Sequence, residues 1–351
     1  MKRFFTLLTL FVFYVIGARA QELSQEQQIE ALNARLTELE QKNEKQNARN
    51  EKWGKIVEKL PQVGGFAKMT YKWNDAGISN FNINYVRVWL FGDISRQFDY
   101  RVQAEFAKPK LIDAYLRWKP TEAFNIQFGQ FHVPFSLEGP LNPTKWETIE
   151  TAKVVDEITG LPDTRDLGVA FYGKFLKAKD DHFFFDYNVG IFQGEGKNTD
   201  DKNKSKDVIG RLKFFPIKEL CLTGSYSYGE RGEEYIRNQR AAAGVEYQGK
   251  AFSLRSEYLW HQQGNGDQAI KNDGCYVVAA YKIKDFAPSL RYNYYNQQIG
   301  SSHLEQSDYV IGVNYSPVKF VKLQLNYTLT TYSERTMKNL NTIGFAAIAM
   351  F

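Results

Sequence analysis

Residues 124–128 read Phe-Asn-Ile-Gln-Phe, a strict alternation of apolar and polar side chains. A period of two gives a β-strand one apolar face and one wet face. The same period recurs from residue 63 to the C-terminus, which indicates an all-β chain of about sixteen strands. The predicted strands begin near residues 63, 81, 98, 111, 124, 166, 183, 207, 219, 240, 252, 274, 288, 307, 321 and 340.

The hydropathy of the chain favours strands over helices as the membrane-crossing elements. Mean hydropathy is −0.47, and beyond the N-terminus there is no apolar run of the ~20 residues that a membrane-spanning helix needs. A transmembrane barrel needs apolar residues only at alternate positions. Short connections at 119–123 and 316–319 alternate with long ones at 195–206 and 261–272, as in outer-membrane barrels. We therefore predict a transmembrane antiparallel β-barrel surrounded by outer-membrane lipid, with a secreted β-sandwich as the alternative.

Aromatic residues near the strand ends and at the C-terminus support the barrel. Rings at such positions are expected at the two membrane interfaces. The final residue, Phe351, ends a strand with apolar alternate residues, which resembles the assembly signal of bacterial outer-membrane proteins and implies the barrel-assembly machinery as a partner. The aromatic residues near strand ends are Trp73, Trp89, Trp118, Trp260, Tyr226, Tyr228 and Tyr332.

The first twenty residues have the pattern of an export signal. A basic start, Met1-Lys2-Arg3, precedes a 13-residue apolar run at 4–16 and the small-x-small triplet at 18–20. We predict a signal peptide over residues 1–20, cleaved before Gln21. The alternative is a membrane anchor, but thirteen residues are too few to span ordinary hydrocarbon.

Residues 21–60 form a polar block that fits a seven-residue repeat. A 3–4 spacing of core positions over several heptads is typical of a coiled coil, so we predict a short α-helical coiled coil in the periplasm that joins the chains of a homo-oligomer. The alternative is a single solvated helix or a disordered spacer. The two core positions are occupied by Ile29, Leu36, Asn43, Asn50 and Val57, and by Leu32, Leu39, Gln46, Trp53 and Leu60.

One connection, at about residues 134–165, is too long for a simple turn and contains four prolines. Connections of more than about 15 residues without regular structure are usually functional. Within the predicted barrel of residues 62–351, we expect this segment to fold inward as a constriction loop; an external surface loop is the alternative. Lys145, Lys153 and Arg165 are its candidate cations, although six carboxylates make the loop acidic overall.

The residues before and after this loop resemble a known family. Gly-Gln-Phe-His-Val-Pro-Phe-Ser-Leu-Glu at 129–138 looks like the hallmark segment of the phosphate-selective porins O and P. Asp113-Ala114-Tyr115, Lys119-Pro120, Gly92-Asp93-Ile94 and Arg-Asp-Leu-Gly-Val at 165–169 also match. The similarity is strongest over residues 81–170. It implies a homotrimer of 16-stranded barrels, each with its own pore.

The resemblance also implies anion preference through a ladder of inward Arg and Lys. Arg binds phosphate as a planar fork and Lys as a point charge, so both suit a series of weak anion sites. Each ladder residue has an alternative as a wall charge paired with Asp93, Glu105, Asp113, Asp186 or Glu257. The inward-reading cations are Arg87, Arg101, Arg117, Lys174, Arg211, Lys213, Arg255, Lys282 and Arg291.

The net charge and the absence of known motifs limit the classes of function that the sequence allows. The formal charge is +5, and it becomes +2 without Lys2, Arg3 and Arg19 of the predicted signal peptide, which is too little to indicate nucleic acid. No catalytic, cofactor or metal pattern is found, so we expect no cofactor, no metal and no catalytic residue. The sequence thus favours a passive porin for small anions, phosphate among them. An envelope-anchoring barrel with little conductance and an outer-membrane hydrolase are the alternatives.

Overall fold

The computed structural model describes residues 29–30, 34–47, 49, 60–160, 163–266, 269–334 and 336–351. The chain divides into two compact units, residues 1–60 and residues 61–351. The predicted signal peptide, with the heptad positions Leu32, Asn50, Trp53 and Val57, lies outside the described residues.

In the first unit, residues 34–47 are α-helical. Leu36 and Leu39, two of the predicted core positions, are 55% and 60% exposed in the single chain. A partner chain would have to cover them, so the coiled coil stays a prediction. None of the helices in the described residues is long and apolar enough to cross a bilayer.

The second unit is a closed barrel of sixteen antiparallel strands. Each strand pairs with the next along the chain, and β1 also pairs with β16. The predicted all-β barrel and its strand number are confirmed. The strands are β1 Gln62–Asn74, β2 Ser79–Asp93, β3 Phe98–Glu105, β4 Lys110–Trp118, β5 Asn125–His132, β6 Arg165–Lys177, β7 Phe183–Phe192, β8 Asp207–Ile217, β9 Leu220–Arg231, β10 Ile236–Gln248, β11 Phe252–Gln263, β12 Ile270–Tyr281, β13 Phe286–Ile299, β14 Ser302–Val318, β15 Val321–Tyr332 and β16 Leu340–Met350.

The barrel is closed through the last residue of the chain. Thr70 of β1 lies opposite Ala346 of β16, and the ladder continues past β16. There the backbone N–H of Gly65 donates to the carbonyl of Phe351 at 2.9 Å, and the N–H of Phe351 donates back at 3.0 Å. Phe351 is thus part of the seam, so neither β1 nor β16 leaves a free edge.

The alternation in sequence becomes an alternation of faces. On β15, Leu325 is 50% and Tyr327 42% exposed on the outside, whereas Gln324 and Asn326 are buried inside. Successive side chains of a strand point to opposite faces. The apolar positions therefore meet lipid and the polar positions meet the barrel interior.

The two ends of the barrel differ in their connections. At the end where β1 begins and β16 ends, here the terminal end, every connection has six residues or fewer. The opposite end, here the loop end, has the two longest connections, 133–164 and 193–206. The predicted long loop at 261–272 is wrong, because β11 and β12 extend into it. His261 and Asn272, both buried, hydrogen-bond across these strands at 3.1 Å and leave only 264–269 as the connection.

The segment 133–164, here the inner loop, folds into the barrel. It contains a 3₁₀ turn, Pro143–Lys145, and a short helix, Lys153–Thr159, that packs against β11, β12 and β13. The helix completes an apolar cluster inside the barrel, so part of the lumen is filled like the core of a soluble protein. The cluster consists of Phe131, Val133, Phe135, Ala152, Val154, Val155, Ile158, Ala170, Phe192, Ile209, Ala242, Leu259, Tyr276, Val278 and Tyr295.

Candidate functional site

Lysines of the barrel wall hold the inner loop by its backbone. The ammonium of Lys68 on β1 donates to the carbonyl of Ile149 at 2.5 Å. Lys322 on β15 donates to the carbonyl of Trp146 at 2.6 Å. Both lysines are largely buried, so these bonds replace lost hydration. Neither lysine was predicted from the sequence, although the period of two places Lys68 on the face opposite the outward Met69.

Two of the predicted ladder arginines also hold the loop. Arg255 forms an ion pair with Glu147, and Arg291 forms one with Glu138. Both arginine side chains are only 2% exposed. They face inward, as predicted, but they lie beneath the loop and not on an open path. Glu138 and Glu147 of the loop thus have their cationic partners on the wall.

A buried carboxylate fixes the first turn of the loop. Glu257 of β11 accepts hydrogen bonds from the Ser136 hydroxyl at 2.8 Å, the Leu137 N–H at 2.7 Å and the Tyr276 hydroxyl at 2.9 Å. Ser136 has a φ of +67°, a conformation that non-glycine residues rarely adopt. From the sequence, Glu257 was one of the carboxylates that could pair with a ladder arginine. Among the described residues it forms no ion pair and binds the loop instead.

The glycine of the hallmark segment also has a structural reason. Gly129 has a φ of +129°, and a Cβ there would lie 2.2 Å from the carbonyl oxygen of Ala114 on β4. Only glycine fits this close approach of two strands. It precedes Phe131 and Val133, whose side chains enter the apolar cluster. The segment therefore turns the chain from the wall into the lumen.

The ladder arginines on β2, β3 and β4, with Arg165, stay on the wall beside carboxylates. A paired arginine still has N–H groups beyond those that bind its carboxylate, because its fork carries five donors. The shortest contacts in these pairs are 2.9 Å for Arg87 with Glu105, 2.7 Å for Arg117 with Asp99, 2.7 Å for Arg165 with Asp113 and 3.7 Å for Arg101 with Asp113.

Five predicted cations have no carboxylate within 4 Å among the described residues. Arg211 donates to the Ser136 carbonyl at 2.8 Å, and Lys213 lies two residues further along the same face of β8. Lys145 is exposed at the end of the 3₁₀ turn, and Lys174 is exposed near the end of β6. Lys282 lies in the turn after β12 and not on a strand.

Lys153, the remaining predicted cation of the loop, has a carboxylate partner. Lys153 pairs with Glu157 at 2.5 Å along the short helix. The predicted loop cations therefore separate into one free residue, Lys145, and two that carry acidic partners.

Beside the inner loop, β2 to β8 enclose a space of about 490 Å³, here the arginine cavity. Asp113 is the one acidic residue among the described residues that line it. Positive groups grouped around a space with low-dielectric walls concentrate anions there. The cations that line it are Arg87, Arg101, Lys145, Arg165 and Arg211.

A second cationic space of about 630 Å³, here the lysine vestibule, lies at the terminal end. Lys145 lines it as well, so the two spaces meet at the 3₁₀ turn. Its acidic lining residues are Glu147 and Asp285. Of its five lysines, only Lys145 and Lys282 were predicted from the sequence; Lys284 and Lys319 lie in turns, and Lys322 is the second residue of β15. The five are Lys145, Lys282, Lys284, Lys319 and Lys322.

Toward the loop end, a space of about 580 Å³, here the outer cavity, has nearly balanced charge. Lys68, Lys72 and Lys153 line it together with Glu150, Asp156 and Asp308. Burial, and then the neighbouring carboxylate of Glu157, raise the pKa of Asp156. Because its pKa is raised, Asp156 loses its negative charge on acidification before an exposed carboxylate does.

Two aromatic residues that were predicted at the membrane interfaces are in fact inside the barrel. Trp89 lines the arginine cavity, and Tyr332 lines the outer cavity. Both predictions are wrong because closeness to a strand end does not settle which face a side chain takes. Trp118, by contrast, is 37% exposed on the outer face and stacks on Phe98.

A closed 16-stranded barrel with an inward loop and a charged lumen is the architecture of an outer-membrane channel of the porin class. Over residues 64–231 the chain matches the family described as phosphate-selective porin O and P, which confirms the resemblance seen in the sequence. No curated protein matches the chain.

Solved structures share the fold. In vitro folded OmpT of Vibrio cholerae is 12% identical, with 83% of this chain and 97% of that chain covered and a TM-score of 0.65. An anion-selective porin from Comamonas acidovorans is 12% identical over 83% and 99% of the two chains, with a TM-score of 0.63. OmpF of Salmonella typhi, in complex with daunomycin, is 13% identical over 84% and 99%, with a TM-score of 0.60.

Proposed function

We propose that this chain is a passive porin that prefers small anions, phosphate or other small anionic solutes. The arginine cavity carries the proposal, because five cations and a single carboxylate line it. This excess of positive charge lies beside the inner loop, where the lumen is narrowed. Anions are therefore concentrated at the point where a solute has least room to avoid the wall.

The ion pairs of the wall arginines suit diffusion better than tight binding. A guanidinium that already binds a carboxylate, as Arg117 binds Asp99 through two bonds of 2.7 and 2.9 Å, offers only part of its fork to a solute. Conduction requires that each site hold the ion loosely enough to release it. Free cations such as Arg211 and Lys145 supply the attraction, and the paired arginines supply weaker sites between them.

A second candidate function has one observation in its favour. The apolar cluster inside the barrel fills part of the lumen, as an envelope-anchoring barrel with little conductance would require. The arginine cavity, the lysine vestibule and the outer cavity nevertheless leave space beside that cluster. We therefore place the anchoring role second to the porin.

The assembly that we propose is a homotrimer with the N-terminal segment in the periplasm. The family resemblance, the heptad pattern and a trimer form of OmpT from Vibrio cholerae among the similar structures support it. With that orientation the terminal end, including Phe351, faces the periplasm and the barrel-assembly machinery. The inner loop then enters the lumen from the outer side.

The reversal potential of the purified full-length protein in planar bilayers under a KCl gradient tests the function. A potential close to that of chloride, with current reduced by added phosphate, is the expected result. A reversal potential close to that of potassium would contradict the anion preference. Folded protein that inserts without conductance would instead favour the anchoring barrel.

A further inference from the structure

Aromatic rings line the lumen beside the wall arginines. The arginine cavity continues into a smaller space of about 340 Å³ toward the terminal end, and Trp89, Arg101 and Tyr115 line both. Phe91 and Arg117 complete the aromatic and cationic lining of the smaller space. We call these five residues the stacking groove. Inorganic phosphate has no apolar face, so the rings are not explained by phosphate passage.

The rings and the cations of the stacking groove lie within cation–π distance of each other. The guanidinium carbon of Arg101 is 5.0 Å from the centre of the Trp89 ring, and that of Arg117 is 5.4 Å from the centre of the Tyr115 ring. A guanidinium is planar and stacks on aromatic faces. Because its plane has two faces and the partner ring occupies one, a second flat group can stack on the other.

The wall is shaped to hold the indole of Trp89 against it. A Cβ on Gly64 of β1 would lie 2.8 Å from the indole, so the absence of a side chain there leaves room for the ring. Trp89, Phe91 and Tyr115 are all partly exposed to the lumen. These surfaces are thus open to a passing solute and are not fully covered by the barrel itself.

We propose that the stacking groove binds planar aromatic carboxylates and gives them preference over non-planar anions of the same charge. The proposal rests on the anion-porin function proposed above and names a substrate class for it. The carboxylate would bind the open edges of Arg101 and Arg117. The ring of the solute would stack on the guanidinium faces that Trp89 and Tyr115 leave open.

Block of the chloride current by two matched acids tests this. Benzoate and cyclohexanecarboxylate carry the same charge, but only benzoate is flat, and the saturated ring is the more apolar. With the full-length protein in planar bilayers, we expect benzoate to reach half-block at a concentration about three- to tenfold lower. In Trp89→Leu this ratio should fall toward one, whereas Trp89→Phe should keep most of it. Trp73→Leu, which removes an outward indole, is the matched control and should keep all of it.

The outcomes separate the two proposals. A ratio near one in a channel that reverses near the chloride potential would overturn the stacking groove and leave the anion porin standing. A channel that reverses near the potassium potential would remove the anion porin itself. If Trp89→Leu does not insert, Tyr115→Leu provides the same test, and an unchanged ratio in either variant would overturn the proposal.

Discussion

Arg211 is, with Lys145, one of the two cations of the arginine cavity that have no carboxylate partner among the described residues. It lines the arginine cavity, donates to the Ser136 carbonyl at 2.8 Å and has no carboxylate within 4 Å among the described residues. Because the Ser136 carbonyl is neutral, this hydrogen bond does not compensate the positive charge of Arg211. Arg255 differs, because Glu147 compensates its charge beneath the inner loop. Two inward arginines thus have different roles.

Neutralising Arg211 should lower the anion preference of the channel. In Arg211→Gln we expect the ratio of anion to cation permeability to fall about two- to fivefold, since one unit charge a few ångströms from the solute is worth up to ~1 kcal/mol in water. Reversal potentials under a KCl gradient measure this. Arg211→Lys keeps the charge and should keep the ratio. An unchanged ratio in Arg211→Gln would show that the path avoids this cavity.

The inward direction of such residues could be read from sequence, but their partners could not. The period of two places Arg255 and Arg291 on the lumen side, and they are there. Their partners, Glu147 and Glu138, lie more than a hundred positions away in the chain. Those contacts depend on the course of the inner loop, which no local pattern encodes.

The inner loop is the element that fills part of the lumen, and Glu257 holds its first turn. That carboxylate takes hydrogen bonds from a hydroxyl and a backbone N–H of the loop and from Tyr276. Ser136, at a positive φ, supplies the hydroxyl. Such a conformation costs about 1–3 kcal/mol and persists only where the surroundings hold it. The loop therefore needs this acceptor to keep its place.

Replacing the carboxylate by an amide should loosen the loop. In Glu257→Gln, one of the two oxygen acceptors becomes an N–H₂ donor, so the N–H of either Leu137 or Glu138 loses its acceptor, at a cost of about 1–3 kcal/mol. Hydrogen exchange at residues 136–139 should then be about tenfold faster or more in the folded protein. Glu305→Gln, on β14, is the control and should leave that exchange unchanged. Equal exchange in Glu257→Gln and the parent protein would show that other contacts hold the turn.

Strands were more predictable than the loop for a physical reason. About sixteen local alternations predict which face meets lipid, and most predicted strand starts lie within two residues of the observed ones, with those at 98, 183 and 207 identical. The inner loop has no such period. Its carbonyls bind Lys68 on β1 and Lys322 on β15, which lie far apart in the sequence. Its length and its prolines predicted that it lies in the lumen, whereas its contacts could be seen only in the structure.

At the scale of the whole barrel, positive charge is distributed unevenly along the axis. The lysine vestibule at the terminal end has five lysines against Glu147 and Asp285. The outer cavity, toward the loop end, has three lysines against three carboxylates. The inner loop lies between them. A pore whose charge is concentrated at one end does not conduct equally in both directions, because the charged end supplies its counterions to the rest of the lumen.

Current through singly inserted pores should therefore rectify at low salt. We expect the larger current at the polarity that drives anions from the lysine vestibule toward the loop end, because the vestibule then feeds concentrated anions into the balanced outer cavity. At 0.1 M KCl the screening length is ~10 Å, so the vestibule charges act on the lumen. At 1 M KCl the screening length is ~3 Å, and the difference between the currents at the two polarities should shrink. The variant Lys282→Gln/Lys284→Gln/Lys319→Gln should rectify less.

The control for this variant removes lysines at the opposite end. Lys202→Gln/Lys204→Gln changes two exposed residues of the 193–206 connection that do not line the lysine vestibule, so rectification should persist. Symmetric current at 0.1 M in the parent protein would contradict the uneven field. Equal loss in both variants would mean that total charge, and not its position along the axis, sets the current. Since Lys322 holds the Trp146 carbonyl, it stays unchanged in both, and any difference reports the field and not a displaced loop.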